Sequence, residues 1–218
     1  MIDNHNREIN YLRISITDRC NLRCVFSSLK KVEGLRDISL TTNGILLEDY
    51  AEEIFDAGIK RINVSLDSLS PDRYRDITRG GDISRVIRGI SKAHDTGFSP
   101  IKINVVAIKG FNDNEIIDFA KLTIDKPYQI RFIEFMPVGN SAMENSMGYL
   151  SNDEVLKGIN SFSPLEPVVP TRRDRTDGPA CLYTMKDAMG KQFLQQTTPD
   201  GRRAPQGMSP LGRTDGGS

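Results

Sequence analysis

Two cysteines lie four positions apart near the start of this 218-residue chain, in the segment Cys20-Asn21-Leu22-Arg23-Cys24. Two thiols at this spacing in a loop can fold back and ligate one soft metal centre. The same spacing also occurs when two cysteines are unconnected small side chains, one of them buried. The two residues alone therefore leave a metal site and a packing role open.

Side chains that can bind a ligand also stand at the C-terminal ends of three predicted strands: Thr41, Thr42, Ser65, Asp67, Glu134 and Met136. In barrels and in open α/β sheets alike, ligands bind at the edge where the parallel strands end. We therefore expect the ligand site of this chain at that edge of the sheet.

Strand and helix patterns alternate along the chain up to residue 135. Alternating or β-branched runs predict strands at 11–16, 37–40, 60–65, 101–108 and 129–135. Apolar residues at helical spacing predict helices between the later strands, one ending at Gly58, one running from Asp82 to Gly97 and one beginning at Asp113. Strands alternating with such helices pair in parallel, with right-handed crossovers. The predicted fold class is α/β.

The C-terminal third carries weaker patterns. A short helix is predicted from Asn152 to Ile159, and a strand at 182–185. Residues 196–218 contain 5 of the 18 glycines and 3 of the 11 prolines, with only three apolar side chains. Such a segment cannot offset the entropy cost of ordering by burial, and the sequence predicts that it is disordered.

The bulk composition excludes several classes of function. Lys plus Arg and Asp plus Glu both number 29, so the formal net charge is zero and does not favour nucleic acid or an anionic membrane. No apolar run approaches the roughly 18 to 20 residues that span a bilayer. Three cysteines and no secretory pattern argue against a disulfide scaffold. We predict an intracellular, reducing compartment: the cytoplasm, or the mitochondrion for a eukaryotic source.

The residues around the two cysteines, Leu12 to Cys24, strongly resemble the start of the MoaA-like radical S-adenosylmethionine (SAM) GTP 3',8-cyclases of molybdenum cofactor biosynthesis. Further segments resemble that family in the same order: 40–44, 62–69, 79–81, 105–113 and 131–139. The resemblance covers roughly residues 8 to 192. Several independent motifs in one order are far more specific than a single motif.

The resemblance implies an incomplete (βα) barrel of the radical SAM type with parallel strands, followed by a short C-terminal extension. The parts would be a flexible N-terminus at 1–10, a truncated partial barrel at 11–150, a remnant C-terminal part at 151–195 and the disordered tail at 196–218. The implied activity is that of a lyase, which uses SAM-dependent radical chemistry in the first step of molybdenum cofactor biosynthesis.

The implied cofactors are a [4Fe-4S] cluster and SAM. By resemblance, Cys20 and Cys24 are the first two cluster ligands, and the third ligand position falls on Ser27. A serine hydroxyl is a hard, weakly acidic ligand for a cluster that prefers soft sulfur. The site as written therefore supplies two good ligands where the family has three.

The remaining implied contacts are with small molecules. Ser65 and the backbone near Phe26 and Met136 match SAM contacts, whereas Arg13, Thr41 and Lys102 match GTP contacts. Arg and Lys suit phosphate oxygens, because Arg forks onto them and Lys adds a point charge. Alternatively, Arg13 and Lys102 face solvent or pair with Glu134 or Asp67, and Ser65 satisfies a backbone group at a strand end.

Two segments of the family pattern are not found. Only residues 28–36 separate the cysteine loop from the next predicted strand, so at least one βα unit, including a Gly-Gly-Glu-Pro strand end, is missing and the sheet is expected to have an open edge there. Nothing after Lys191 resembles the family's C-terminal cysteine cluster, and Cys181 is predicted to be a strand residue.

Two functional hypotheses follow. The first is a cyclase of this family whose activity is impaired in this chain. The second is a non-catalytic nucleotide-binding remnant or partner subunit, or the product of an incomplete gene model. The expected ligands are GTP and SAM, with no nucleic acid and no membrane, and the expected protein partner is a second copy or a full-length homologue.

Overall fold

The computed structural model describes residues 11–16, 37–135, 148–168 and 181–194. The predicted flexible N-terminus and the predicted disordered tail at 196–218 lie outside these residues. The described strands are β1 (Tyr11–Ile16), β2 (Asp37–Thr42), β3 (Arg61–Ser65), β4 (Ile101–Lys109), β5 (Gln129–Glu134), β6 (Gly148–Tyr149), β7 (Leu165–Pro167), β8 (Cys181–Met185) and β9 (Lys191–Leu194). Cys181 is thus a strand residue, as predicted.

The described helices are α1 (Leu47–Asp56), α2 (Pro71–Thr78), α3 (Ile83–Thr96), α4 (Ile116–Lys121) and α5 (Asn152–Phe162), and a 3-10 turn at Asp113–Glu115 leads into α4. Two predicted boundaries of α3 are confirmed. The Asp82 carboxylate accepts a hydrogen bond of 2.9 Å from Ser84 N, and Gly97 ends the helix with a positive φ of 102°. A capping box between Ser151 and Glu154 begins α5.

The strands form one mainly parallel sheet in the order β1-β2-β3-β4-β5-β9-β8-β7, with β6 paired to the end of β4. β1 to β5 and β9 are parallel, whereas β7 and β8 are antiparallel additions. The described strands end in two edges, β1 and β7, and do not close into a barrel. The predicted α/β class with parallel strands is confirmed.

The expected open edge after β1 is not observed. β1 pairs with β2 along its whole length, from Tyr11 opposite Asp37 to Ile16 opposite Thr42. Residues 17–36 connect the two strands and are more numerous than the dozen or so that a parallel crossover needs. β1 and β2 therefore pair directly, and the sheet is continuous from β1 to β5.

Side-chain alternation gives this sheet two different faces. One face packs against the helices and is apolar, with Ile62, Val64, Ile103 and Val105 completely buried. We call the opposite face of β1 to β5 the inner face; it carries the alternate residues, most of which are polar. The apolar face holds the sheet in place, so the inner face is free to carry functional side chains.

β9 joins the main sheet, although it belongs to the predicted C-terminal part. It pairs in parallel with β5, from Gln129 opposite Lys191 onward. The completely buried Gln192 donates a hydrogen bond of 2.6 Å to the Thr123 hydroxyl. The division of the chain at residues 150 and 151 stays a prediction, and the pairing of β5 with β9 runs across it.

Two helical glycines provide a test of how closely α3 packs against α1. A Cβ at Gly89 in α3 would lie 2.9 Å from Leu47 Cβ and 3.0 Å from the Gly44 carbonyl oxygen, because α3 packs closely on the start of α1. We expect Gly89→Ala to lower the free energy of unfolding by about 1 to 3 kcal/mol, although alanine favours helix. Urea unfolding followed by circular dichroism measures it.

The matched control is Gly158→Ala in α5. A Cβ at Gly158 would meet no atom within 4 Å. Alanine there should raise the free energy of unfolding by about 0.5 to 1 kcal/mol through helix propensity alone. Equal effects of the two substitutions would contradict the close approach of α3 to α1.

Candidate functional site

The strand register brings four of the predicted site residues onto the inner face. Thr41 lies opposite Asn63, and Asn63 lies opposite Lys102, so these three side chains form one row across β2, β3 and β4. Arg13 lies opposite Ser39, one row closer to the N-terminal ends of the strands. Ser65 lies one row closer to the C-terminal ends.

The inner face is cationic. Within β1 to β5 as described, its positions hold Arg13, Arg61, Lys102 and Arg131 but only one carboxylate, Asp37. Asp37 forms an ion pair with Arg61. Lys102 is only 4% exposed and already takes part in an interaction within the protein, and its ammonium adds a positive charge to the inner face. This excess of positive charge favours an anionic ligand.

Several inner-face residues were not found by the sequence analysis. Asn63, Asn104, Gln129 and Arg131 occupy the same rows as the predicted residues. Within the described part of the chain, Oδ1 of Asn104 and Oε1 of Gln129 are buried and accept no hydrogen bond. Such orphaned acceptors point to a polar ligand or ordered water. The sequence signal for these four residues is the alternation of polar residues with Ile and Val along the strands.

Two predicted strand-end residues have structural roles. Glu134 shares the register position of Ala107 on the helix-facing side of the sheet, where its carboxylate accepts a hydrogen bond of 2.9 Å from Asn152 N at the start of α5. Thr42 is also on the helix-facing side, and its hydroxyl accepts from Gly44 N in the turn that follows. Gly44 has a positive φ of 82°, as the Asn-Gly pair predicted.

At the C-terminal end of β3, a side chain replaces the backbone carbonyl in the pairing with β4. Main-chain pairing ends where Leu66 N donates to the Asn104 carbonyl at 3.0 Å. One step later the Asp67 carboxylate, and not a carbonyl, accepts a bond of 2.8 Å from Val106 N. Burial raises the pKa of Asp67, and the Val106 bond opposes this only partly. The strands therefore diverge beyond Ser65, at the predicted ligand edge.

Asn112 and Glu115, from the segment after β4, hold this end of β3. The Asn112 amide is fully buried, donates to the carbonyls of Asp67 (2.7 Å) and Val106 (2.8 Å), and accepts from Ile108 N (2.8 Å). Glu115 accepts from the Ser68 hydroxyl and Leu69 N, and pairs with Arg73. The hydrogen bonds of Asn112 and Glu115 therefore fix the loop beside Ser65.

The proposed cluster ligands and some of the proposed SAM contacts lie in segments outside the described structure. Cys20, Cys24, Ser27 and the proposed SAM contacts Phe26 and Met136 all lie outside the described residues. Among the residues that are described, no group of three His, Cys, Asp or Glu side chains is arranged to hold a metal ion. By its chemistry, a donor set of two thiols and one hydroxyl does not fit a cluster held by three thiolates.

Comparison with known proteins decides the family. Residues 27–123 match the model described as the radical SAM superfamily. The GTP 3',8-cyclase of Alkaliphilus oremlandii (strain OhILAs) is 37% identical over 247 residues, which cover 89% of this chain and 75% of the relative. The GTP 3',8-cyclase of Alkaliphilus metalliredigens (strain QYMF) is 39% identical over 244 residues, covering 88% and 74%. This chain belongs to the GTP 3',8-cyclase family of radical SAM proteins.

The predicted resemblance is thus confirmed, and the fold agrees with it. A solved structure of TYW1 with a lysine-pyruvate adduct bound is similar with a TM-score of 0.51 at 20% identity, and the match covers 76% of this chain and 55% of that chain. The family implies a [4Fe-4S] cluster and SAM as cofactors. The 247 matched positions exceed the 218 residues of this chain, so the Alkaliphilus relative has residues inside the match that this chain lacks.

None of the helices in the described ranges is both long enough and apolar enough to cross a bilayer. The longest of them, α3, has 14 residues and one apolar face packed on the sheet.

The raised pKa of Asp67 gives a test of the β3 end. The folded state holds the Asp67 proton more tightly than the unfolded chain does, so its contribution to stability is present at low pH and is lost as the pH rises through the raised pKa. Asp67→Asn keeps an acceptor for Val106 N and removes the buried charge. We expect this variant to be more stable than the wild type at pH 8, with a difference that shrinks towards pH 4 in urea unfolding.

The control is Asp76→Asn, at an exposed position of α2. It should change the free energy of unfolding by less than about 0.5 kcal/mol at both pH values. A destabilised Asp67→Asn variant at pH 8 would show that the carboxylate charge itself is needed at the end of β3.

Proposed function

We propose that this chain binds GTP on the inner face of its sheet and is a cyclase-family protein of the first step of molybdenum cofactor biosynthesis whose radical chemistry is impaired. The observation that carries the proposal is the row Thr41, Asn63 and Lys102, with Arg13 one row away on a cationic face. The relatives that cover most of this chain are named for a reaction of GTP.

The proposed contacts follow from charge and geometry. Lys102 supplies a buried positive charge, which is worth more to a phosphate in this low-dielectric position than at the surface. Arg13 supplies a fork of donors at an exposed position of β1. Thr41 supplies a hydroxyl between Arg13 and Lys102. Ser65, one row closer to the C-terminal ends of the strands, is proposed to contact SAM.

Impairment rests on the donor set. A [4Fe-4S] cluster that leaves one iron open for SAM needs three protein thiolates, and Ser27 stands at the third position. Relatives also have residues within the match that this chain lacks. Together these features support the proposal that radical chemistry is impaired in this chain to a greater degree than nucleotide binding.

The second candidate function is nucleotide binding without catalysis. The same inner face favours it, because phosphate binding by Arg13, Thr41 and Lys102 needs no cluster. A homodimer, or association with a full-length homologue, stays an expectation. An intracellular, reducing compartment, first of all the cytoplasm, is proposed as the setting.

Nucleotide binding is tested by a charge substitution. We expect Lys102→Gln to weaken GTP binding about tenfold or more, since the buried ammonium no longer faces a phosphate. Isothermal titration calorimetry with GTP measures the dissociation constant, and raising the salt concentration should weaken binding less in the variant than in the wild type.

Lys121→Gln, on the exposed side of α4, is the matched control and should leave GTP affinity unchanged. Equal losses in the two variants would mean that general charge, and not the inner face, attracts the nucleotide. A wild-type chain that binds no GTP would refute the proposed function.

Impaired chemistry is tested by reconstitution. After anaerobic incubation with iron, sulfide and SAM, we expect less than one [4Fe-4S] cluster per chain and no 5′-deoxyadenosine, because only two thiolates are supplied. Ser27→Cys should raise iron retention. The measurements are iron content, the visible spectrum and product analysis.

Cys181→Ser is a control with a thiol outside the proposed ligand set, and it should not change iron retention. A stoichiometric cluster with 5′-deoxyadenosine production by the wild type would contradict impairment. If Ser27→Cys leaves iron retention unchanged, the missing βα unit and not the missing thiolate is the main defect.

A further inference from the structure

Asn63 occupies the centre of the row that carries the proposed phosphate contacts. It lies opposite Thr41 on β2 and opposite Lys102 on β4. Its amide nitrogen donates to two acceptors on β2, the Leu40 carbonyl oxygen at 3.2 Å and the Thr41 hydroxyl oxygen at 3.4 Å. Asn63 is thus hydrogen-bonded to Thr41, one of the proposed phosphate contacts, and lies next to Lys102, another of them.

The orientation of the Asn63 amide is fixed by the Leu40 carbonyl. A backbone carbonyl oxygen can only accept a hydrogen bond, so the amide nitrogen and not the amide oxygen must face β2. The same nitrogen is within hydrogen-bond distance of both acceptors on β2, and its contact with the Thr41 hydroxyl is the longer of the two.

The consequence falls on the Thr41 hydroxyl. A hydroxyl has one hydrogen, and one that accepts from Asn63 must turn that hydrogen towards a different acceptor. Thr41 lies on the inner face, where the neighbouring charges favour an anion. A phosphate oxygen on this face is an acceptor of the kind that the hydroxyl then needs.

We propose that Asn63 is a positioning residue that fixes the Thr41 hydroxyl as a hydrogen-bond donor to a phosphate of the bound nucleoside triphosphate. The proposal rests on the proposed GTP binding and adds the residue that orients one of its contacts. Asn63 acts through Thr41, so its contribution to affinity depends on the Thr41 hydroxyl.

The test is a double-mutant cycle with Asn63→Ala and Thr41→Val in the full chain. Isothermal titration calorimetry is carried out with GTP and with inorganic tripolyphosphate. Each single substitution should weaken binding of both probes about three- to tenfold. The double variant should bind within about twofold of Thr41→Val alone, because no hydroxyl is left to orient. In the Thr41→Ser background, which keeps a hydroxyl, Asn63→Ala should again cause its full loss.

Gln129→Ala provides the matched control. Gln129 is the amide in the same row on the far side of Lys102, and two strands, β3 and β4, lie between it and Thr41. Its effect on binding should be the same with and without the Thr41 hydroxyl. Thermal unfolding and circular dichroism should show that all variants are folded, and Asn63→Ser replaces Asn63→Ala if the alanine variant unfolds.

The outcomes separate this inference from the proposed function. If GTP binds but Asn63→Ala weakens the Thr41→Val variant as much as it weakens the wild type, Asn63 does not act through Thr41 and the inference is overturned. An additive effect of Asn63→Ala with GTP and none with tripolyphosphate would place Asn63 at the nucleoside and would also overturn it. A wild-type chain that binds neither probe refutes the GTP proposal itself, and the inference with it.

Discussion

Parallel pairing of β2, β3 and β4 in one register is the constraint on which the rest of the structure depends. Side chains alternate along each strand, so a slip of one residue would exchange the buried and the polar faces. The completely buried Ile62 and Ile103 prevent that slip, because it would turn them onto the polar face. The row of Thr41, Asn63 and Lys102 is a consequence of the apolar packing on the other side of the sheet.

The two ends of the candidate site are held by different means. The inner-face rows are held by strand pairing and the core beneath them, which depend on many contacts. The end of β3 is held by the side chains of Asp67, Asn112 and Glu115, each buried or half-buried and each hydrogen-bonded to backbone. Loss of one such side chain leaves buried backbone groups unpaired, so this end is sensitive to single substitutions.

Strands and helices with an apolar pattern could be predicted from the sequence. The bounds of β1 and of α3 agree closely with the predicted 11–16 and with the caps at Asp82 and Gly97. α2 was missed because Tyr74 is its only buried residue, so its sequence has no apolar stripe. β9 was missed because four residues carry too little periodicity to distinguish a strand.

Site residues could be predicted where the family resemblance assigned them a role. They could not be predicted where strand pairing alone places them on the inner face. Thr41, Ser65 and Lys102 were assigned through the family resemblance, and the register places them on one face. Asn63 lies within the matching segment 62–69 but was assigned no role there, and Gln129 lies in no such segment, so only the alternation of β3 and β5 marks the two as inner-face residues. Direct pairing of β1 with β2 could not be foreseen, because it depends on how two strands far apart in their predicted connection meet in the sheet.

Cluster binding and phosphate binding respond differently to the same losses. A cluster is held by a few ligands whose chemistry is individually required, so a hydroxyl in place of a thiolate weakens the site at once. Phosphate binding is the sum of several charge-assisted bonds from a rigid surface, and each bond is individually dispensable. Here the strand pairing that presents Arg13, Thr41 and Lys102 is continuous from β1 to β4. Under the proposed function, loss of the radical half of the family's chemistry is therefore compatible with a persistent phosphate-binding surface.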